Sequence, residues 1–108
     1  MKKFKDQGRQ GDVFLRRVNK PIPKKAEKVD WSKEKRVILA YGEVTGHAHA
    51  LSTKLAEMYR WEGDRLIEVK AGAALNHEEH ETICPAPGVF QVIQQRQYTP
   101  EAIINVTD

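Results

Sequence analysis

A chain of 108 residues is enough for one domain with one modest core, which excludes separate cofactor and substrate domains. Charged residues make up 31% of it and no apolar run approaches the roughly 20 residues of a membrane span, so a soluble protein is expected. A single cysteine, Cys84, excludes an internal disulfide and suits a reducing compartment; with no apolar h-region in "MKKFKDQGRQGD", a cytoplasmic location is expected.

The net charge of +3 is unevenly spread: residues 1–36 carry 13 Lys/Arg against five Asp/Glu, and the rest carries five against ten. Residues 1–10 read as a flexible basic arm, and residues 11–108 as a single β-domain. "GDVFLRRV" reads as a strand opened by the turn pair Gly11-Asp12, with Val13 and Leu15 on one face and Phe14 and Arg16 on the other. Residues 19–35 read as a Lys/Pro-rich loop, because Pro21 and Pro23 resist regular structure and the lysines favour solvent. Trp31 is its one obvious anchor. Lys24, Lys25 and Lys28 are where nucleic acid or an acidic protein would be contacted. No aromatic residues interleave with these lysines, and no RNA-recognition or zinc-finger pattern is present.

"RVILAYGEV" is a nearly continuous apolar strand ended by Gly42 or Gly46, and "HAHALS" reads as its hairpin return. "EMYRWEGDRLIEVK" is the clearest hairpin, with Gly63 supplying the positive φ of its turn. "ETIC" is a short strand stopped by "PAPG", in which Cys84 reads as a small buried hydrophobe. "GVFQVIQQRQY" is the last long strand. Its Phe90 and Val92 alternate against Val89 and Gln91, and "QVIQQRQY" is a candidate sheet edge for a homo-oligomer. "TPEAI" predicts one helical turn, capped by Thr99 with Pro100 at its first position. The expected fold is mainly β: a small antiparallel barrel or sandwich of about seven strands with one short C-terminal helical turn.

The chemistry concentrates in "GEVTGHAHALS" and "LNHEEHET", which hold all four histidines. Strand alternation would point His47 and His49 the same way, about 7 Å apart along the chain. His77 and His80 would share a face on a turn but not on a regular strand. Four imidazoles, or three with water, suit a divalent metal, zinc first, with iron, manganese or nickel behind. Glu43, Glu78, Glu79 and Glu81 lie close in sequence as ligands, orienting partners or bases. Glu78 and Glu79 are the candidate proton carriers of a metal-bound water. No GxSxG, P-loop or dinucleotide fingerprint is present.

"GEVTGHAHA" resembles the first metal motif of the cupins, where a glycine leads to HxH. That resemblance implies a barrel in which His47 and His49 are metal ligands. The glycine-to-histidine gap is one residue short, Thr53 or Lys54 stands where the cupin glutamate would, and "PAPGVFQV" has no histidine after its turn. Over most of its length, through "QGDVFLRRV", "GEVTGHAHA", "HEEH" and "PGVFQVIQQRQYTPEAI", the chain is similar to small uncharacterised proteins of bacteria and their phages. That likeness implies a compact cytoplasmic β-protein. Two functions follow: a metal-binding β-domain, with or without a reaction, or a non-catalytic binding or assembly module working through its basic arm and loop.

Overall fold

Every segment expected to be extended is a strand in the computed structural model, which describes residues 1–42, 44–98 and 103–105. In chain order the strands are β1 (Lys2–Phe4), β2 (Gln7–Gln10), β3 (Val13–Val18), β4 (Glu27–Lys28), β5 (Arg36–Tyr41) and β6 (Ala48–Ser52). They continue as β7 (Ala56–Trp61), β8 (Asp64–Val69), β9 (Ile83–Pro85), β10 (Gly88–Gln94), β11 (Arg96–Tyr98) and β12 (Ile103–Asn105). Among the described residues there is no helix, and so none long and apolar enough to cross a membrane. The helical turn expected at "TPEAI" falls on residues 99–102, outside the described residues, while Ile103 lies in β12.

Six strands form one antiparallel sheet in the order β2-β3-β10-β8-β7-β4. The β5–β6 hairpin shares one apolar core with that sheet in a sandwich-like arrangement, not a closed barrel. Val13, Leu15, Met58, Ile67, Phe90 and Val92 from the sheet cluster with Val37, Leu39 and Leu51 from the hairpin. The period-two pattern is the cause: on β3 and β10 the inward residues are those whose alternation was apolar. Strand β5 is apolar on both faces because both are covered. Ile38, Ala48 and Ala50 form a second small cluster roofed by Trp31, which also packs on the main core. The loop indole is therefore an anchor.

A β-bulge between Ile38 and Ala40 shifts the register of β5 against β6. The Leu39 carbonyl there accepts a 2.6 Å bond from Arg65 Nη1. The tight turn between β7 and β8 places Gly63 at φ 81°, the left-handed region that glycine occupies without strain.

Three expectations change. Residues 1–10, read as a flexible arm, carry β1 and β2. β1 pairs with β9 in parallel, and Phe4 packs edge-on against Phe90 at 5.7 Å. One aromatic side chain and a ladder to a distant strand suffice to dock a segment whose composition is polar. "QVIQQRQY" is no edge at residues 91–92: β10 lies between β3 and β8 there, Gln91 pairing with Arg16 on one side and Leu66 on the other, while Ile93 and Gln94 pair with β3 alone. Gln91, bonded to the exposed Arg16, lies on the solvated face that a central strand of a one-sided sheet also has, whereas Gln94 pairs with buried Val13 and donates to Asp12. The Lys-rich loop is partly tied down, since β4 pairs with β7, Lys28 Nζ lies 2.8 Å from Glu57 Oε2 and Val29 N–H donates to Met58. Lys24 and Lys25 are exposed.

Candidate metal centre

The two histidine stretches meet because the chain after β8 returns alongside β6. Ala50 and Asn76 exchange backbone hydrogen bonds at 3.0 and 2.9 Å. Leu75 and Ile83 form a second bridge, so residues 77–80 turn over the start of β6. Glu78 fastens the turn: its Oε1 accepts the Ala48 N–H at 3.0 Å, and its Oε2 lies 3.8 Å from Arg36. The Ala48 amide holds the Glu78 carboxyl below the usual carboxylate range, helped by its own N–H and by the charge of the neighbouring imidazoles.

All four imidazoles converge. Ring centroids are 4.3 Å apart for His49 and His77, 4.7 Å for His77 and His80, 5.7 Å for His49 and His80, and 6.2 Å for His47 and His77. His49 is fully buried, at 0% exposure, and His77 nearly so; His47 and His80 are half-buried. On β6 the alternation is as expected, with Ala48 and Ala50 on the far face in the Trp31 cluster. Gly42 permits the close approach, because a Cβ there would lie 2.9 Å from His77 Nε2 and 3.2 Å from His47 Cβ.

The imidazoles differ in what holds them. His49 Nδ1 is 2.8 Å from Gln10 Oε1. His77 Nδ1 accepts the Glu79 N–H at 3.0 Å, which in a neutral ring leaves the proton on Nε2. His47 Nδ1 lies 3.4 Å from Glu79 Oε1. His80 Nε2 is buried with no hydrogen-bond partner among the described residues. Of the other acids, Glu81 Oε2 faces the N-terminal amine at 3.7 Å, and Glu43 lies outside the described residues. Cys84 sits in β9 opposite Lys3 and is half-buried. Among the described residues, no group of three or more His, Cys, Asp or Glu side chains is already arranged to hold a metal ion.

Two residues of the site escaped the sequence reading: Gln10 and Asp12, each 3% exposed. Gly11-Asp12 is a two-residue turn between β2 and β3, so Gln10 pairs with Val13. Cross-strand partners share a face, and Val13 faces the core. Reading "GD" as a hairpin turn, not as the opening of a strand, would have put Gln10 inside.

Residues 9–95 match the model of a Domain of unknown function (DUF8820). No curated protein and no solved structure matches the chain.

Proposed function

The chain belongs to the DUF8820 family, which brings no activity with it, and from the site alone we propose that it binds a divalent metal ion, zinc foremost, at the meeting of β6 with the 77–80 turn. One observation carries this reading: every histidine of the chain, from two separate segments, lies in one cluster with rings 4.3–6.2 Å from a neighbour. Imidazoles that share a site can share a cation, whereas protonating several of them at once is opposed by their mutual repulsion.

His47, His49, His77 and His80 are the donors. His49 is held by Gln10, and the half-buried His47 and His80 would complete the donor set. His77, whose Nδ1 accepts the Glu79 N–H, would be the fourth donor. Such an ion, when bound with an open position, would supply polarisation of a water or carbonyl. For proton transfer Glu79 is the better placed acid, standing beside His47, while Glu78 is engaged with Ala48 and Arg36 and serves to position the turn.

Metal analysis of tag-free protein tests the reading, with His47→Ala and His77→Ala alongside. About one zinc per chain, reduced in both variants, is the expected result. A wild-type protein without stoichiometric metal, whose melting is unmoved by zinc or chelator, would sink it. The exposed Lys24 and Lys25 support a second role in contacting nucleic acid or an acidic protein. Binding that weakens with salt and is lost on neutralising Lys24, Lys25 and Lys28 is its signature, and salt-insensitive binding counts against it.

A further inference from the structure

Strand β1 lies against β9 with Lys3 opposite Cys84 and Phe4 opposite Pro85. Cross-strand partners share a face, so Lys3 and Cys84 lie on the face turned away from the core packing of Phe4. Beyond β9 the chain rejoins the main sheet, where Gly88 of β10 pairs with Val69 of β8. From that pair the two segments separate, residues 71–73 into a turn and residues 85–87 towards β9. The gap between them, with Lys3, Phe4 and Lys5 of the β1 segment along its side, is a cavity of about 620 Å³.

The walls of this cavity offer a ligand carbon and little else. Phe4, Ala71, Ala73, Pro85, Ala86 and Pro87 line it. The two prolines have no N–H. The Ala86 N–H donates to the Phe4 carbonyl at 2.9 Å, and the Ala86 and Pro87 carbonyls accept from Arg17 at 3.4 and 3.1 Å. The Ala73 N–H closes the turn onto Lys70 at 3.2 Å. Gly72, at φ 88°, has no atom beyond its neighbours within 4 Å of where a Cβ would stand, so the chain itself does not fill the space. The polar side chains at the cavity are Lys3 and Lys5, both exposed, and the half-buried Cys84. No acidic side chain lines it, and among the described residues neither ammonium is paired with a carboxylate.

We propose that this cavity is a second site, independent of the histidine cluster, and that it binds a free amphiphilic monocarboxylate. The alkyl or aryl body lies against the proline–alanine wall, and the carboxylate sits at the rim with Lys3 and Lys5. Pockets for single small molecules span roughly 300–1,000 Å³ and are mainly apolar with a few polar groups, and this one has both properties. The charge decides the class of head group: two ammoniums without counter-ions favour an anion, and no carboxylate is there to hold a cation. A lysine is a point charge, not a planar fork, so it draws in a carboxylate without demanding a bidentate geometry. A cavity closed by a turn on one side and by the proline segment on the other suits a discrete molecule.

The test titrates sodium decanoate, below its micelle concentration and in EDTA, into the ¹⁵N-labelled full chain. Saturable shifts are expected at the amides of Lys3, Lys5, Ala71, Ala73 and Cys84. Cys84, the chain's single cysteine, should resist alkylation by iodoacetamide in proportion to occupancy. Decanol, with the same chain length and no charge, should bind about 5-fold more weakly, the worth of a solvent-exposed ion pair. Reversing both charges, Lys3→Glu with Lys5→Glu, should weaken decanoate about 10-fold. Ala71→Trp, made at an exposed position, fills the cavity and should abolish binding. Decanoate that shifts no residue of the cavity, or decanol that binds as tightly as decanoate, overturns the proposal. So does an acidic peptide that shifts these amides where decanoate does not, which would make the face a protein-docking surface. The decanol comparison uses wild type alone and holds even if a variant does not fold. With EDTA present throughout, none of these outcomes bears on the histidine site.

Discussion

Replacing Gln10 by leucine in the metal-free protein isolates what the buried amide does for the fold. Leucine is of similar volume, so no cavity opens, and the loss is confined to hydrogen bonds. The Leu75 carbonyl keeps its bond from Ile83 N–H at 3.2 Å, and Glu81 is an exposed residue whose carbonyl can turn to water. The cost falls on His49, which at 0% exposure has an N–H left without its acceptor. An unsatisfied buried donor costs about 1–3 kcal/mol. A proton shift to Nε2, facing Asp12, would move the loss towards the lower end. With an unfolding entropy of about 2.1 cal/mol/K per residue, a domain of this length loses roughly 4–13 °C in Tm. Calorimetry at neutral pH in EDTA reads it directly. A Tm within about 1 °C of wild type would show that His49 does not depend on Gln10.

Phe4→Ala tests the docking of the N-terminal segment: Phe4 is half-buried against Phe90, so about half the loss of a fully buried Phe→Ala, roughly 2 kcal/mol, is expected as a lower urea midpoint. An unchanged midpoint would mean that β1 contributes nothing. Gly42→Ala should leave far-ultraviolet dichroism intact but push the His77 ring aside, lowering Zn²⁺ affinity about 10-fold; equal affinity would place His77 outside the metal's reach. The Glu57 carboxyl is held below the usual carboxylate range, first by its hydrogen bond with Lys28 and next by Tyr59. Its contribution is thus present above that range and disappears as acid protonates the folded protein, so the Tm advantage of wild type over Glu57→Gln should shrink on acidification and in high salt. An advantage that grows in acid would contradict the pairing.

The strands were legible because their signals are local. Alternation in "VFLRR" and "GVFQVIQ" and a glycine turn in "WEGD" act within a few residues, and the structure obeys them. What was hidden depends on distant partners. Nothing in "MKKFK" announces a parallel ladder with Ile83–Pro85, since the pairing is decided by what the remainder of the fold leaves uncovered. The candidate site divides the same way. His47 and His49 could be drawn on one strand from spacing alone, whereas His77 and His80 reach them only through the Ala50–Asn76 bridge and the Glu78 clasp. Gln10 and Asp12 were hidden because glutamine is ordinarily a surface residue and aspartate beside glycine an ordinary turn residue.

The two halves of the cluster differ in physical character, and this difference bears on how such a site would work. Gln10, Asp12 and His49 are sealed in the core, cross-bonded to Gln94 and to the Leu75 and Glu81 carbonyls, and have almost no freedom. Burying such groups is unfavourable unless each is satisfied, so a small β-domain keeps them only where their placement matters. His47, His80 and Glu79 sit on turns at the rim, half-buried or exposed, and turn more freely. A rigidly held donor such as His49 would cost little ordering entropy when a ligand arrives, while donors on the turns would complete the shell and release it. Affinity should then respond most to His49 and to Gln10, which holds it, and exchange rate most to His47 and His80. A metal centre built only from the surface turns would show the opposite order.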